Sequence, residues 1–204
     1  MGMLLLGLVL FLGCHSVRVF AEPWRENVLL QWGEKKYKGL YSLASVVGFV
    51  LIVYGFSIAS MGSPTLWIPP VATRHVASLL MLLAIILLVA AYVPNNAIKH
   101  RLKHPMVLSV KVWALAHLLA NGRVVDLILF GTFLVWSVLL FRASRQRDQW
   151  QADLQIETHD APTIASSTTT RVCVIGALVW AALLLGGHAW LFGVSPVGLG
   201  FTGL

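Results

Sequence analysis

The chain has 204 residues, 58% of them hydrophobic and only 11% charged, with a formal net charge of +7. Soluble domains carry about a quarter charged residues, so a second water-soluble domain is excluded and residues 1–204 read as one membrane-embedded unit. The positive excess then reads as attraction to anionic lipid at one face of a bilayer, and no nucleic-acid partner is needed to explain it.

Six apolar stretches follow one another, over roughly 3–21, 40–60, 75–93, 105–122, 125–141 and 171–193. Each has about the 17 to 25 residues that cross a hydrocarbon core as a helix. The first, MGMLLLGLVLFLGC, also resembles a signal peptide ending at a lipoprotein-type cysteine. However, no Lys or Arg precedes it, Phe11 and Leu12 suit such a cleavage site poorly, and the apolar run continues through Val19 and Phe20. It reads as a retained span. Arg18 ends it, and the next loop carries Arg25, Lys35, Lys36 and Lys38. The same side holds Lys99, Arg101 and Lys103, then Arg142, Arg145, Arg147 and Arg171, whereas the opposite loops hold only Arg74 and Arg123. Because cationic loops stay on the cytoplasmic side, both termini are expected outside the cytoplasm. The fold class is therefore all-α: a polytopic six-helix transmembrane bundle whose partner is the lipid bilayer.

The longest connection, roughly 143–170, reads as a short amphipathic piece followed by a polar tether, and GVSPVGLGFTGL as a loosely ordered terminus. Cys14 and Cys173, both near cytoplasmic helix ends, imply no disulfide framework.

Ionisable side chains inside a bilayer cost a few kcal/mol each on insertion scales and mark candidate sites. Within spans these are His15, Lys111, His117 and His188, with His75 and His104 at span ends. Asp126, at the outer start of the fifth stretch, reads as a helix cap favoured by the helix dipole. In the fourth stretch Pro105 suits a first helical turn and makes His104 a helix-start residue as well as a candidate. At about 100° per residue, Trp113, His117 and Asn121 share one face, while His104 and Lys111 share another more than 100° away. Lys111 has a bland reading, a side chain extending along its methylenes to the inner surface. Ala114, Ala116 and Ala120 permit close approach of a helix or a flat ligand.

A neutral imidazole is both the form a membrane tolerates and the form that binds metal. Two membrane histidines on different helices, His15 and His117, are thus a possible axial pair for a heme iron, although a lone membrane histidine more often joins two helices. His15 lies about five residues from the inner end of its stretch and His117 about twelve, an offset near 10 Å at 1.5 Å per residue that closes only if the first helix continues toward Ala21 and Glu22 or the helices tilt. Two imidazole nitrogens on one iron stand only about 4 Å apart. His15 with His104 matches better in depth. A propionate edge at the cytoplasmic rim has Arg18, Arg25, Arg101 and Lys103 available.

The run FxGxHSxR around His15, the pair Trp24–Arg25, EKKYKGLYSLAS before the second stretch and HPMVLSVKVWALAHLLANG in the fourth resemble the NnrU family of bacterial inner-membrane proteins, over nearly all of the chain up to about residue 142. The resemblance implies an inner (plasma) membrane location and a link to denitrification and nitric oxide metabolism. That family is similar to the plant 15-cis-zeta-carotene isomerase, a membrane enzyme with b-type heme. On that relation His15 and His117 match the proposed heme ligands, Trp113 matches the intervening tryptophan, and His104 is the natural substitute ligand. Lys103 stands where the isomerase has arginine, and residues 125–141 lack its paired histidines, which counts against carotenoid chemistry.

The leading expectation is accordingly a heme b membrane protein of nitrogen-oxide metabolism, acting with other membrane proteins as a redox or gas-responsive accessory or as a heme-dependent, isomerase-like enzyme. The residues leave open whether it is an enzyme. A non-heme membrane enzyme, of the kind seen in isoprenylcysteine methyltransferases and sterol reductases, lacks its acidic and paired-tyrosine segment after residue 142. An assembly or stabilising subunit needs only that the polar groups join helices. A transporter is disfavoured by the absence of paired interrupted helices.

Overall fold

The computed structural model describes residues 1–154 and 165–196. All regular elements among them are helical: α1 (Gly2–Phe20), α2 (Glu22–Trp32), α3 (Glu34–Met61), α4 (Val71–Tyr92), α5 (Ala97–Leu102), α6 (Pro105–Ala120), α7 (Val124–Asp153), α8 (Ser166–Ala182), a π turn (Leu183–Gly187) and α9 (His188–Phe192). Five helical stretches are long and apolar enough to cross a membrane: α1, α3, α4, α7 and the run from Ser166 to Phe192. The expected sixth, α6, has 16 residues. At 1.5 Å per residue it rises about 24 Å, short of a core of about 30 Å.

The helices nevertheless run alternately between the same two ends. At one end Thr65 bridges Arg123, and the Leu66 N–H donates to the Gly122 carbonyl at 2.8 Å, tying the α3–α4 connection to the α6–α7 connection. At the other end the Arg147 guanidinium donates to the Arg18 carbonyl at 2.8 Å, and the Ala97 N–H donates to Thr169 Oγ1 at 3.0 Å. This second end is the basic one.

Several boundaries depart from the sequence reading. The presumed basic loop after the first span contains α2, which starts with Glu22 and Pro23 in its first turn and stops at Gly33, whose φ of 80° favours glycine. Next, α3 begins six residues early, because Glu34 and Lys38 pair across one turn. Likewise α7 runs to Asp153, well past the expected end near 141, with Arg147 bonded to Ser144 and Arg145 facing Asp148 one turn apart. The amphipathic piece expected there is therefore the end of a long helix. Its polar tether is partly corrected, since SSTTT forms the first turns of α8; positions 155–164, His159 among them, and the closing residues after 196 lie outside the described residues. Cys14 and Cys173 are unpaired, on α1 and α8.

Packing is set by backbone proximity. Along α1, Leu4, Leu8 and Leu12 recur at helical spacing and meet Ile52, Ala114, Val125, Leu129 and Phe130 in the central core. The α1–α3 contact is close because glycines face it: a Cβ on Gly7 would lie 2.6 Å from the Ile52 nitrogen, one on Gly48 2.8 Å from that of Phe11, and one on Gly55 2.5 Å from that of Leu4. In lipid, where apolar burial drives association weakly, such small-residue contacts supply the van der Waals fit. Similarly, α4 lies against α6 through the buried Ala84 and Ala116, with Ser109 Oγ donating to the Ala84 carbonyl at 2.7 Å. Then α8 closes on α4, where Trp180 Nε1–H reaches the Ser78 carbonyl at 2.9 Å. Large apolar side chains such as Leu43, Phe49 and Val53 on α3 face outward, as lipid contact requires.

Gly48→Ala is expected to lower the stability of the detergent-solubilised protein by about 1–3 kcal/mol, the usual cost of overpacking. Gly131→Ala, with nothing within 4 Å of the added carbon, should leave the melting temperature unchanged or raised. Equal melting temperatures for Gly48→Ala and the unaltered chain would contradict this contact.

Candidate functional site

His15 sits near the basic end of α1. Its Nδ1 is 2.7 Å from the Phe11 carbonyl of its own helix. A carbonyl only accepts, so the bond holds the proton on Nδ1 and leaves the Nε2 lone pair free, the arrangement found in imidazole ligands. Around the ring stand Phe11 at 4.3 Å, Tyr41 of α3 at 5.2 Å and the edge of Trp136 of α7 at 6.3 Å between centroids. The rest of the HSxR run joins helices: Ser16 Oγ accepts from Trp136 Nε1–H at 3.1 Å, and the Arg18 carbonyl takes the Arg147 guanidinium. The Arg18 side chain is exposed at the basic end. Arg25 pairs with Glu22 at 2.7 Å and lies over Tyr37.

His117 repeats the device on α6, with Nδ1 2.9 Å from the Trp113 carbonyl. Its ring stacks on Phe130 of α7 at 4.5 Å and 27°, and Trp113 lies 5.1 Å away. Asn121 Nδ2–H donates back to the His117 carbonyl at 2.8 Å. Trp113, His117 and Asn121 therefore share the face that helical periodicity required. Of the three, Trp113 packs against Phe130 and Phe133, while His117 and Asn121 line a cavity of about 240 Å³ at the less basic end, between α4, α6 and the α8–α9 segment. Its polar groups are Arg74, Ser78, His117, Asn121, Trp180, His188 and Ser195, set among alanine, leucine and other apolar walls. His188, a candidate within the last span, points its Nδ1 at the Val194 carbonyl, 2.7 Å away.

The structure does not bring His15 and His117 together. Descending α7, Phe130 stacks on His117, Phe133 meets Trp113 at 5.5 Å and Phe11 at 6.1 Å, and Trp136 meets His15. Six residues of α7 separate the two imidazoles, about 9 Å along the axis. Phe11, Phe133 and Trp113 fill the interval, so the two rings as placed do not flank one iron.

His104 and Lys111 occupy the other face, as expected. His104 Nε2 is 3.0 Å from Asp148 Oδ2, and its ring meets the edge of Phe141. The Lys111 Nζ lies 5.7 Å from the same Phe141 ring, directed to the basic end along the snorkelling path. Asp148 escaped the sequence reading because it fell in a presumed loop; its spacing of one heptad from Phe141 was the available signal. Asp126 caps α7 as expected: it is 1% exposed and accepts the Arg123 backbone N–H at 3.3 Å and the guanidinium at 2.8 and 2.9 Å. Among the described residues no three His, Cys, Asp or Glu side chains converge as a metal cluster.

Residues 3–196 match the family model described as NnrU protein, and the chain belongs to that family. No curated protein and no solved structure gives a significant match.

Asp126→Ala removes the buried carboxylate that caps α7 and accepts from the partly exposed Arg123, and is expected to cost about 0.5–2 kcal/mol, read as a lower melting temperature of the solubilised protein. An unchanged melting temperature would show that the cap contributes nothing.

Proposed function

We propose that this NnrU-family membrane protein binds b-type heme and serves denitrification or nitric oxide metabolism from the bacterial inner membrane. In this reading α6 is the sixth crossing, its shortness accommodated by tilt or local thinning of the bilayer, and both termini lie outside the cytoplasm. The charge division supports that orientation, since Arg74 and Arg123 alone lie at the end opposite Arg18, Arg25, Lys35, Lys99, Arg101 and Arg142.

The observation carrying the heme reading is His117, an imidazole fixed through Nδ1 with Nε2 free, on the wall of a largely apolar cavity. A helix-held imidazole of this tautomer would be able to hold a heme iron through Nε2. His15 has the same chemistry but does not reach that cavity. Heme bound there supplies a redox couple or, if one coordination position opens, a site for a diatomic gas or an unsaturated substrate. The protein's own contributions are separable. The Phe130 stack and Trp113 hold the imidazole plane, Ala116 and Ala120 let a flat ring approach the α6 backbone, and Arg74 offers a cation to a carboxylate edge. An edge on this cavity has Arg74 as its cation, not the expected Arg18, Arg25, Arg101 and Lys103 at the basic end.

A non-heme assembly subunit is the second reading, favoured by the polar bonds that join helices: Ser16 with Trp136, Ser109 with Ala84 and Trp180 with Ser78. The absorption spectrum of protein purified from cells supplied with heme precursor separates the two. We expect a Soret band that shifts and sharpens on reduction and is lost in His117→Ala. A colourless preparation would favour the assembly subunit and remove the heme reading.

A further inference from the structure

We propose that the second imidazole on the heme iron is His188, reached across the cavity from His117, and that His15 is not an iron ligand. The inference rests on the heme reading above and goes beyond it in naming the axial pair.

Three independent features point to His188. First, it and His117 line one cavity from opposing elements, α9 and α6, whereas His15 is walled off by Phe11, Phe133 and Trp113. Second, His188 carries the same tautomer device, because its Nδ1–H donates to the Val194 carbonyl at 2.7 Å and Nε2 keeps its lone pair. Third, the backbone places it deliberately. The helix begun at Ser166 passes through the π turn Leu183–Gly187, and Gly186 takes φ 140° and ψ −21°, a conformation that L side chains rarely adopt. Single π turns recur at functional sites because they rotate the following residues relative to the preceding face. Here the first residue after the turn is His188.

The cavity's charge fits the same occupant. Among the described residues Arg74 is the one charged side chain lining it and no carboxylate joins it there, so an anionic group at the edge of the ligand, such as a propionate, would meet that guanidinium. The walls contributed by Ala77, Ala116 and Ala120 are small enough for a flat ring system to lie against backbone.

The test is the spin state of the ferric, heme-loaded full chain in detergent, read by electron paramagnetic resonance and by absorption. Two imidazoles give a low-spin signal in the unaltered protein. His188→Ala is expected to convert it to high spin, with low spin restored by added imidazole, while His15→Ala remains low spin. Should His188→Ala fail to fold, His188→Met decides instead, since a thioether in that position gives a low-spin signal distinct from the bis-imidazole one. A low-spin bis-imidazole signal surviving in His188→Ala or His188→Met overturns the inference, as does a high-spin His15→Ala. Either result leaves the heme reading standing, whereas a colourless unaltered protein removes both.

Discussion

Inside lipid no solvent satisfies a polar group, so the imidazoles, hydroxyls and indole N–H groups of this bundle gain most from partners within the protein. The helices meet that demand in two ways. Ser16, Ser109 and Trp180 spend their bonds on a neighbouring helix and thereby fix how helices stand against each other. His15 and His117 instead turn one nitrogen back on their own helix, at the carbonyl four residues earlier. The second solution satisfies the donor while leaving an acceptor nitrogen uncommitted, which distinguishes a side chain available for a ligand from one used up in architecture.

The same constraint explains where the polar groups are not. The interval between the two helix-held imidazoles is filled by Phe11, Phe133 and Trp113, whose tilted and edge-on contacts need no hydrogen-bond partner except at the indole nitrogen. This aromatic column ties α1, α6 and α7 into one block. The cavity lies outside it, toward α4 and α8, where alanines and a π turn leave room.

Much of this was legible in the chain itself. Hydropathy over about twenty residues located α1, α3, α4 and the start of α7, because crossing lipid demands length and apolarity together. Helical periodicity separated Trp113, His117 and Asn121 from His104 and Lys111, and those two sets face different neighbours. The depth offset between His15 and His117 was also readable, as counting from span ends gave nearly the value that Phe130 and Trp136 mark along α7. What escaped was structure that polarity disguises. α2 and the last turns of α7 carry too many charged residues to register as spans, yet their composition favours helix once anchored. His188 was legible as an ionisable residue within the last span, but its place beside the His117 cavity was not, because that depends on Gly186 leaving helical geometry and nothing in a linear pattern announces the direction of such a turn.

One unbroken rod has a further consequence. With 30 residues, α7 is about 45 Å long, so roughly 15 Å of it stands clear of a bilayer core near 30 Å. Its wet end carries Asp148, bonded to His104, and Arg147, bonded to the end of α1, while its embedded half carries Phe130 and Trp136 against the two imidazoles. A displacement of that projecting basic end would thus be carried by a stiff lever to the aromatic rings packed against both histidines.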